Sequence, residues 1–289
     1  MFNVENLINL PSFVYYDKKL SELNKLQKLF LIIKGIYFIF VTKYTNGIIY
    51  CFLCNLFYKK NGKIYNEGSL YYKKIDSKKH FYPNKRISRI FVDHKKYFDE
   101  FLDTYCLNEI DFKQGDFIID CGANVGELYF SFLHNKINVK YLGFEPDASA
   151  FECLVRNIDD NKAYNMALSE KEETKKLFVD TEGANTSLVD FGTSTTNEIY
   201  TNRLDSFKFK NVKLLKIDAE GYEPEVLKGS KDTLNEIQYI SVDYGNERGR
   251  EEDSTMCEVT NFLYENKFKL ISDSSYRKIG LFKNTNVKK

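Results

Sequence analysis

The stretch FIIDCGANVGE, Phe117 to Glu127, runs three apolar residues straight into an aspartate and then into a small-residue loop with two glycines. A strand covered on both faces reads as an unbroken apolar run, and this one does so until Asp120. A carboxylate there costs several kcal/mol of desolvation unless something pairs with it or the strand end opens to a ligand. In open α/β sheets ligands bind at the carboxyl ends of strands, beside the point where strand order reverses. Gly122 and Gly126 let the following loop turn tightly and bring backbone N–H groups close to a bound molecule.

About 20 residues further on, YLGFEPD (141–147) reads as a second strand ending in Glu145, a carboxylate able to accept from both hydroxyls of a ribose. The two strand ends together describe a nucleoside pocket. A dinucleotide fingerprint places glycine at the second position of its loop so that a pyrophosphate can approach. Asn124 stands there instead, which suits a nucleoside without pyrophosphate, such as S-adenosylmethionine.

Outward from this loop, strand-like runs at 116–120, 139–144, 163–167, 174–179, 212–218, 237–243, 267–272 and 277–283 alternate with helical patterns at 125–134, 147–159, 223–235 and 254–266. That alternation predicts an α/β fold with a mostly parallel sheet and right-handed crossovers. FKLISDSSYRKIGLF (268–282) leaves no room for a crossover between its two β-rich runs, so the sheet closes with a hairpin and gains one antiparallel strand.

The 289 residues suffice for one large domain with an appendage, and 43% hydrophobic with 29% charged residues reads as globular. The net charge of +1 hides an asymmetry: residues 1–110 carry 18 Lys/Arg against 10 Asp/Glu, and residues 111–289 carry 24 against 31. The sequence divides into an N-terminal accessory region, 1–108, basic and with apolar helical segments, and a catalytic domain, 109–289. Within the front region, LFLIIKGIYFIFV (29–41) and GIIYCFLCNLF (47–57) are strongly apolar but too short and too interrupted by Lys34 to span a bilayer. They read as core helices or as an interfacial patch flanked by lysines. The six cysteines give one isolated C-x-x-C, Cys51 and Cys54, in an apolar run, which is not a zinc pattern. No basic and apolar leader opens the sequence, so the expected location is cytoplasmic, with peripheral contact at the inner face of the membrane and homo-oligomerisation both open.

In VKLLKIDAEGYEPEVL (212–227), period-two alternation puts Leu214, Lys216 and Asp218 on one strand face, with Glu220 in the turn beyond and Pro224 opening a helix. A buried lysine and aspartate either pair or face a cleft. Of the three histidines, His80 and His94 lie in the front region and His134 at the end of the first crossover helix, so a carboxylate is the better candidate base. We expect Asp218 to act as the base, with Lys216 and Glu220 positioning the acceptor. Asp218 and Glu220 could also hold Mg²⁺. The polar stretch 180–202 reads as a mobile loop and candidate lid, with Asn185, Thr186 and Ser187 as polar contacts.

The segments GDFIIDCGANVGELYFSF, GFEPDASAFECLVRNI, NMALSEKEE, NRLDSF and VKLLKIDAEGYEPEVLKGS follow in an order and spacing that resembles the FkbM-family methyltransferases, over roughly residues 100–289. The resemblance implies a Rossmann-like class I methyltransferase sheet, S-adenosylmethionine as cofactor, and O-methylation, commonly of sugar hydroxyls in bacterial glycans. It places Asp120, Gly122, Ala123, Asn124 and Gly126 in the cofactor loop, Glu145 and Pro146 at the ribose, Met166 and Ala167 at the adenine, and Asp218 near the sulfonium. Where many relatives carry Glu after IQYIS, this chain has Asp243, with a shorter reach. Two other readings stay open: a nicotinamide-dependent Rossmann oxidoreductase, and a non-catalytic subunit of a glycan-assembly complex. Nucleic acid is not an expected partner, because the matched half is net acidic.

Overall fold

Two compact units, Met1–Tyr97 and Phe98–Lys289, make up the chain. The second begins ahead of the change in sequence character near residue 108. The computed structural model describes residues 23–57, 62–91, 93–159, 161–180, 185–274 and 277–286.

The first unit opens with helices α1 (Lys25–Tyr44) and α2 (Gly47–Phe57). Asn24 and Gln27 start α1 with a reciprocal capping box. An antiparallel sheet follows, β1 (Ile64–Glu67), β2 (Leu70–Ile75) and β3 (Lys78–Tyr82), then α3 (Ser88–Phe91), while α4 (His94–Thr104) crosses the boundary between the units. The sequence reading, drawn to the apolar helices, missed this sheet. Its strands are marked by tyrosines rather than aliphatic residues, with Tyr65 stacked on Tyr72 across the ladder. The helices are fixed by polar contacts: the Tyr37 hydroxyl donates to the Leu53 carbonyl at 3.1 Å, and Asn55 exchanges two hydrogen bonds with the Ile64 backbone. Lys73 is fully buried and donates to the Ile90 and Phe91 carbonyls at 2.7 and 3.2 Å. Its ammonium thereby satisfies the end of α3, while burial lowers its pKa to about 8.

In the second unit, β4 (Phe117–Cys121), α5 (Glu127–His134), β5 (Lys140–Phe144), α6 (Ala148–Asn157) and β6 (Lys162–Tyr164) build the sheet outward in one direction. A side sheet follows, formed by β7 (Ala167–Leu168), β8 (Glu173–Phe178) and β9 (Thr196–Asn202). The chain then returns to the other side of β4 with β10 (Val212–Ile217), α7 (Glu223–Lys228) and β11 (Ile237–Asp243). A short pair, β12 (Asn246–Arg248) and β13 (Asp253–Ser254), precedes α8 (Met256–Glu265), β14 (Phe268–Ser274) and β15 (Ile279–Asn284). The order across the main sheet is β14-β15-β11-β10-β4-β5-β6, with β15 antiparallel to both of its neighbours. The α/β fold with a mixed sheet closed by a hairpin is therefore as expected. Ile119, Leu215, Ile240 and Phe282 contribute to the core that covers it.

Three local expectations are corrected. The run 174–179 leaves the main sheet for the side sheet as β8, paired with β9 rather than with β6. Residues 196–202 of the supposed lid are that partner strand: six of the seven are exposed or half-exposed, so composition alone read them as loop. Helix α7 ends at Lys228 rather than 235, where Gly229 packs so closely that a Cβ would lie 1.8 Å from the Ser169 carbonyl oxygen.

Candidate active site

Strand order reverses between β4 and β10, and their register decides which side chains meet. Lys216 lies opposite Asp120 on one side and opposite Ser241 on the other, while Asp120 lies opposite Gly143. Paired residues in a parallel sheet project from the same face, and so do residues two further along. One row across the sheet is therefore Gly143, Asp120, Lys216 and Ser241. The next row, at the strand ends, is Glu145, Gly122, Asp218 and Asp243.

The inner row is closed. Asp120 is 1% exposed; its Oδ1 lies 3.0 Å from the Lys216 ammonium and its Oδ2 accepts the Tyr141 hydroxyl at 2.6 Å. Both carboxylate oxygens of Asp120 are therefore engaged within the protein. Lys216 is 2% exposed, donates to the Gly122 carbonyl at 2.9 Å and lies 3.7 Å from Asp218 Oδ2. Burial would lower its pKa, but the carboxylates of Asp120 and Asp218 outweigh burial and the net shift is upward. It links the loop after β4 to the strand end at Asp218. Asp218, with 14% of its side chain exposed, accepts a hydrogen bond from the Tyr105 hydroxyl. Tyr105 is itself held by Ser241, whose hydroxyl donates to its carbonyl at 2.8 Å, and its ring lies 5.0 Å from the Lys216 ammonium.

The loop after β4 is shaped by close approach. Gly122 has φ +75°, and a Cβ there would lie 1.8 Å from the Asp218 carbonyl oxygen. The Gly122 and Ala123 N–H groups donate to the Phe144 carbonyl at 3.0 Å, and Gly126 adopts φ +91°. Asn124, with φ +48°, donates its N–H to Glu145 Oε2 at 2.7 Å, and Asp147 N–H reaches Glu145 Oε1 at 2.8 Å. Burial nevertheless pushes the Glu145 carboxyl up to about 7. The Asn165 amide donates to the Glu145 and Pro146 carbonyls at 2.9 and 3.1 Å, so Met166 and Ala167 begin directly beside the Glu145 strand end.

Beyond Asp218 the turn 219–221 is tied by Glu223, whose Oε1 accepts the N–H groups of Ala219 and Gly221 at 3.1 and 3.0 Å while Oε2 accepts the Thr255 hydroxyl at 3.0 Å. Glu220 takes φ +51° at this turn and joins a cluster of acids. Carboxylate oxygens of Asp218, Glu220 and Glu247 lie within 4.8 Å of one another, a spacing that could hold a cation. Burial, then Asp218 and Glu247, push Glu220 up to about 10, and burial with Asp218 pushes Asp243 up to about 8. Arg277, from the closing hairpin, answers them at 3.0 Å from Asp243 and 3.9 Å from Glu247. Of the supposed lid contacts, Ser187 donates to the Glu220 carbonyl at 2.8 Å, whereas Thr186 and Asn185 engage Asp180.

This arrangement of loop, strand-end acids and K-I-D-A-E-G turn falls within residues 120–272, the span matched by the family described as the methyltransferase FkbM domain, just over half of the chain. The chain belongs to the FkbM methyltransferase family. Family membership decides against the nicotinamide oxidoreductase reading and makes S-adenosylmethionine the cofactor to consider. No curated protein matches the chain. Among solved structures, an FkbM methyltransferase from Methylobacillus flagellatus is 13% identical with a TM-score of 0.44, over 88% of this chain and 60% of that one. The chain thus spans less than two thirds of that relative's length. A SAM-dependent methyltransferase from Aquifex aeolicus is 13% identical, TM-score 0.38, over 65% of this chain and 97% of that one. TrmK of M. capricolum, in complex with S-adenosylhomocysteine, is 11% identical, TM-score 0.37, over 64% and 68% of the two chains.

Sequence reasoning on the FkbM motif missed Tyr105, Tyr141, Glu223, Glu247 and Arg277. Tyr105 and Arg277 lie outside the matched span. Tyr141 and Glu223 were within reach: Tyr141 is two residues before Gly143 on the face that Asp120 shares, and Glu223 opens a helix at its N-terminal turn.

Proposed function

We propose that this FkbM-family protein is an S-adenosylmethionine-dependent O-methyltransferase acting on a sugar hydroxyl of a bacterial surface glycan, capsule or lipopolysaccharide or related. The observation that carries the proposal is the Asp218 carboxylate, fixed at the strand end beside the Gly122 loop by Lys216 and Tyr105, on a side chain that keeps 14% of its surface exposed.

The residues present fit the cofactor. Glu145 uses its oxygens on two backbone N–H groups yet keeps acceptor lone pairs for a ribose, and half-buried Met166 with buried Ala167 offers apolar surface to an adenine. Ala123, Asn124, Gly126 and Pro146 shape the backbone around that place. Bound there, S-adenosylmethionine supplies an electrophilic methyl group on a good leaving group. The tasks left to the chain are alignment and proton removal. Asp218 orients the acceptor hydroxyl and takes its proton at the carboxylate. Tyr105 donates to that carboxylate and fixes its rotamer, while Lys216 holds the Asp218 and Gly122 loops together. These two are positioning residues.

The acceptor side supports a polyhydroxylated substrate. Asp218, Glu220, Asp243 and Glu247 are acceptors for hydroxyl donors, and Arg277 is a donor for ring or hydroxyl oxygens. The net acidity of residues 111–289, 24 Lys/Arg against 31 Asp/Glu, speaks against nucleic acid. A soluble substrate complex or a membrane-bound acceptor pool would both serve such chemistry in the cytoplasm.

The test compares surface glycans from cells carrying the wild-type gene with those carrying Asp218→Asn, by mass spectrometry. Wild-type glycans are expected to be one CH₂ heavier at a hydroxyl. A methyl group found in lipid or protein fractions instead would overturn the glycan assignment, and equal methylation by the variant would overturn the role of Asp218.

A further inference from the structure

The first unit departs from ordinary globular design in one respect: the exposed side of α1 and that of α2 are apolar. On α1, Leu26, Leu29, Ile33, Ile36 and Phe40 recur at three- and four-residue spacing, and Leu26 and Ile36 are 78% and 64% exposed. On α2, Ile48, Phe52 and Leu56 continue at four-residue spacing and are also exposed. The opposite faces are the buried ones, through Gly35, Phe38 and Val41 on α1 and Tyr50, Cys51 and Cys54 on α2. Exposed apolar stripes on this scale mark a surface that something covers.

Charge says what. Residues 25–57 contain four lysines, Lys25, Lys28, Lys34 and Lys43, and no Asp or Glu. At about 100° per residue, Lys25 and Lys43 fall on one flank of the α1 stripe with Lys28 beyond them, while Lys34 falls on the side of buried Val41 and Phe38. The apolar band is thus bordered along one flank by cations whose aliphatic stems can run along it while the ammonium groups reach outward. Among the described residues no helix is long and apolar enough to cross a membrane. A helix of this pattern lies in the plane of a bilayer surface with its apolar side sunk below the headgroups.

We propose that the α1–α2 face docks onto an anionic lipid surface. A second copy meeting face to face would bring eight lysines together with no acid between them, twice the four of one chain. An anionic bilayer instead answers both the apolar stripe and its cationic border.

The experiment is vesicle flotation of the full chain, with phosphatidylcholine vesicles containing or lacking phosphatidylglycerol, at low and high salt. Wild type is expected to float with anionic vesicles, about fivefold more weakly for each lysine replaced by Gln, and more weakly at high salt. The double variant Ile33→Glu/Phe40→Glu, changed only at exposed positions, is expected to stay in the soluble fraction with an unchanged melting temperature. Wild type that ignores anionic vesicles overturns the proposal, as does a double variant that floats like wild type. Equal flotation with neutral vesicles removes its electrostatic part. A dimer seen by light scattering, dissociated by the double variant and with no vesicle capture, assigns the face to a second copy instead.

Discussion

Two groups of buried charge share the same sheet edge and are handled in opposite ways. In the inner group, Asp120 has Lys216 and Tyr141, and Asp218 has Lys216 and Tyr105, so each charge meets a counter-charge or a donor. In the outer group, Glu220, Asp243 and Glu247 crowd around Arg277, and burial and mutual repulsion hold all three carboxyls above their ordinary values. The inner group is a preorganised scaffold, which costs no rearrangement when a reaction occurs. The outer group is a reservoir of titratable acids beside Asp218.

The contrast breaks most visibly at Asp218. Asp218→Asn is expected to lower kcat by about 10²–10⁴-fold, with adenosylmethionine affinity by calorimetry nearly unchanged. Near-normal turnover would reduce the inner group to a structural cluster. Lys216→Met comes next, because it strands Asp120 in the interior. Breaking a buried pair costs about 3–5 kcal/mol, and each kcal/mol is worth about 2–4 °C in a protein of this size. Calorimetry should therefore show melting lowered by about 10 °C, with much of the loss recovered in Asp120→Asn/Lys216→Met. An unshifted Lys216→Met would mean that the ammonium is not what stabilises Asp120.

Tyr105→Phe sharpens the comparison further. Removing a donor from a carboxylate raises that carboxylate's pKa. The acid limb of the kcat/KM profile should move to higher pH, alongside a loss of about tenfold in kcat. A fall in both constants with a fixed limb would make Tyr105 merely a packing residue. The smallest effect belongs to Glu220→Gln. Glu220 is raised from 4.5 to about 10, so in between the folded chain holds a proton that the unfolded chain has lost. The stability this proton represents is full below the ordinary value and is lost as pH rises towards 10. The variant avoids that loss, so its melting temperature should exceed wild type by a few degrees at pH 9, less at pH 6, and not at pH 4. A gain that ignores pH would show that the outer acids do not titrate.

Much of this was legible before any coordinates. FIID followed by two glycines located the strand end, the short gap in FKLISDSSYRKIGLF required a hairpin, and period two placed Lys216 and Asp218 on one face. What escaped was set by register across strands. The sequence showed Asp120 as a costly charge without saying that Lys216 lies beside it on the next strand, 96 positions later, and it therefore cast both as ligand contacts. Arg277 comes from a hairpin turn and Tyr105 from the segment before β4, and nothing in their local patterns points to an acid that only the topology brings near. The β9 strand escaped for a different reason: TNEIYTN carries little apolar signal because most of it faces water.

The hydrogen atoms of Gly122 fill the space against the Asp218 carbonyl, where a methyl group would overlap it at 1.8 Å. This wall admits no redecoration. Anyone wishing to alter the surroundings of Asp218 must work from the opposite rim, on the residues after β11 and on the hairpin that carries Arg277. The rim bearing Gly122 will tolerate no graft at all.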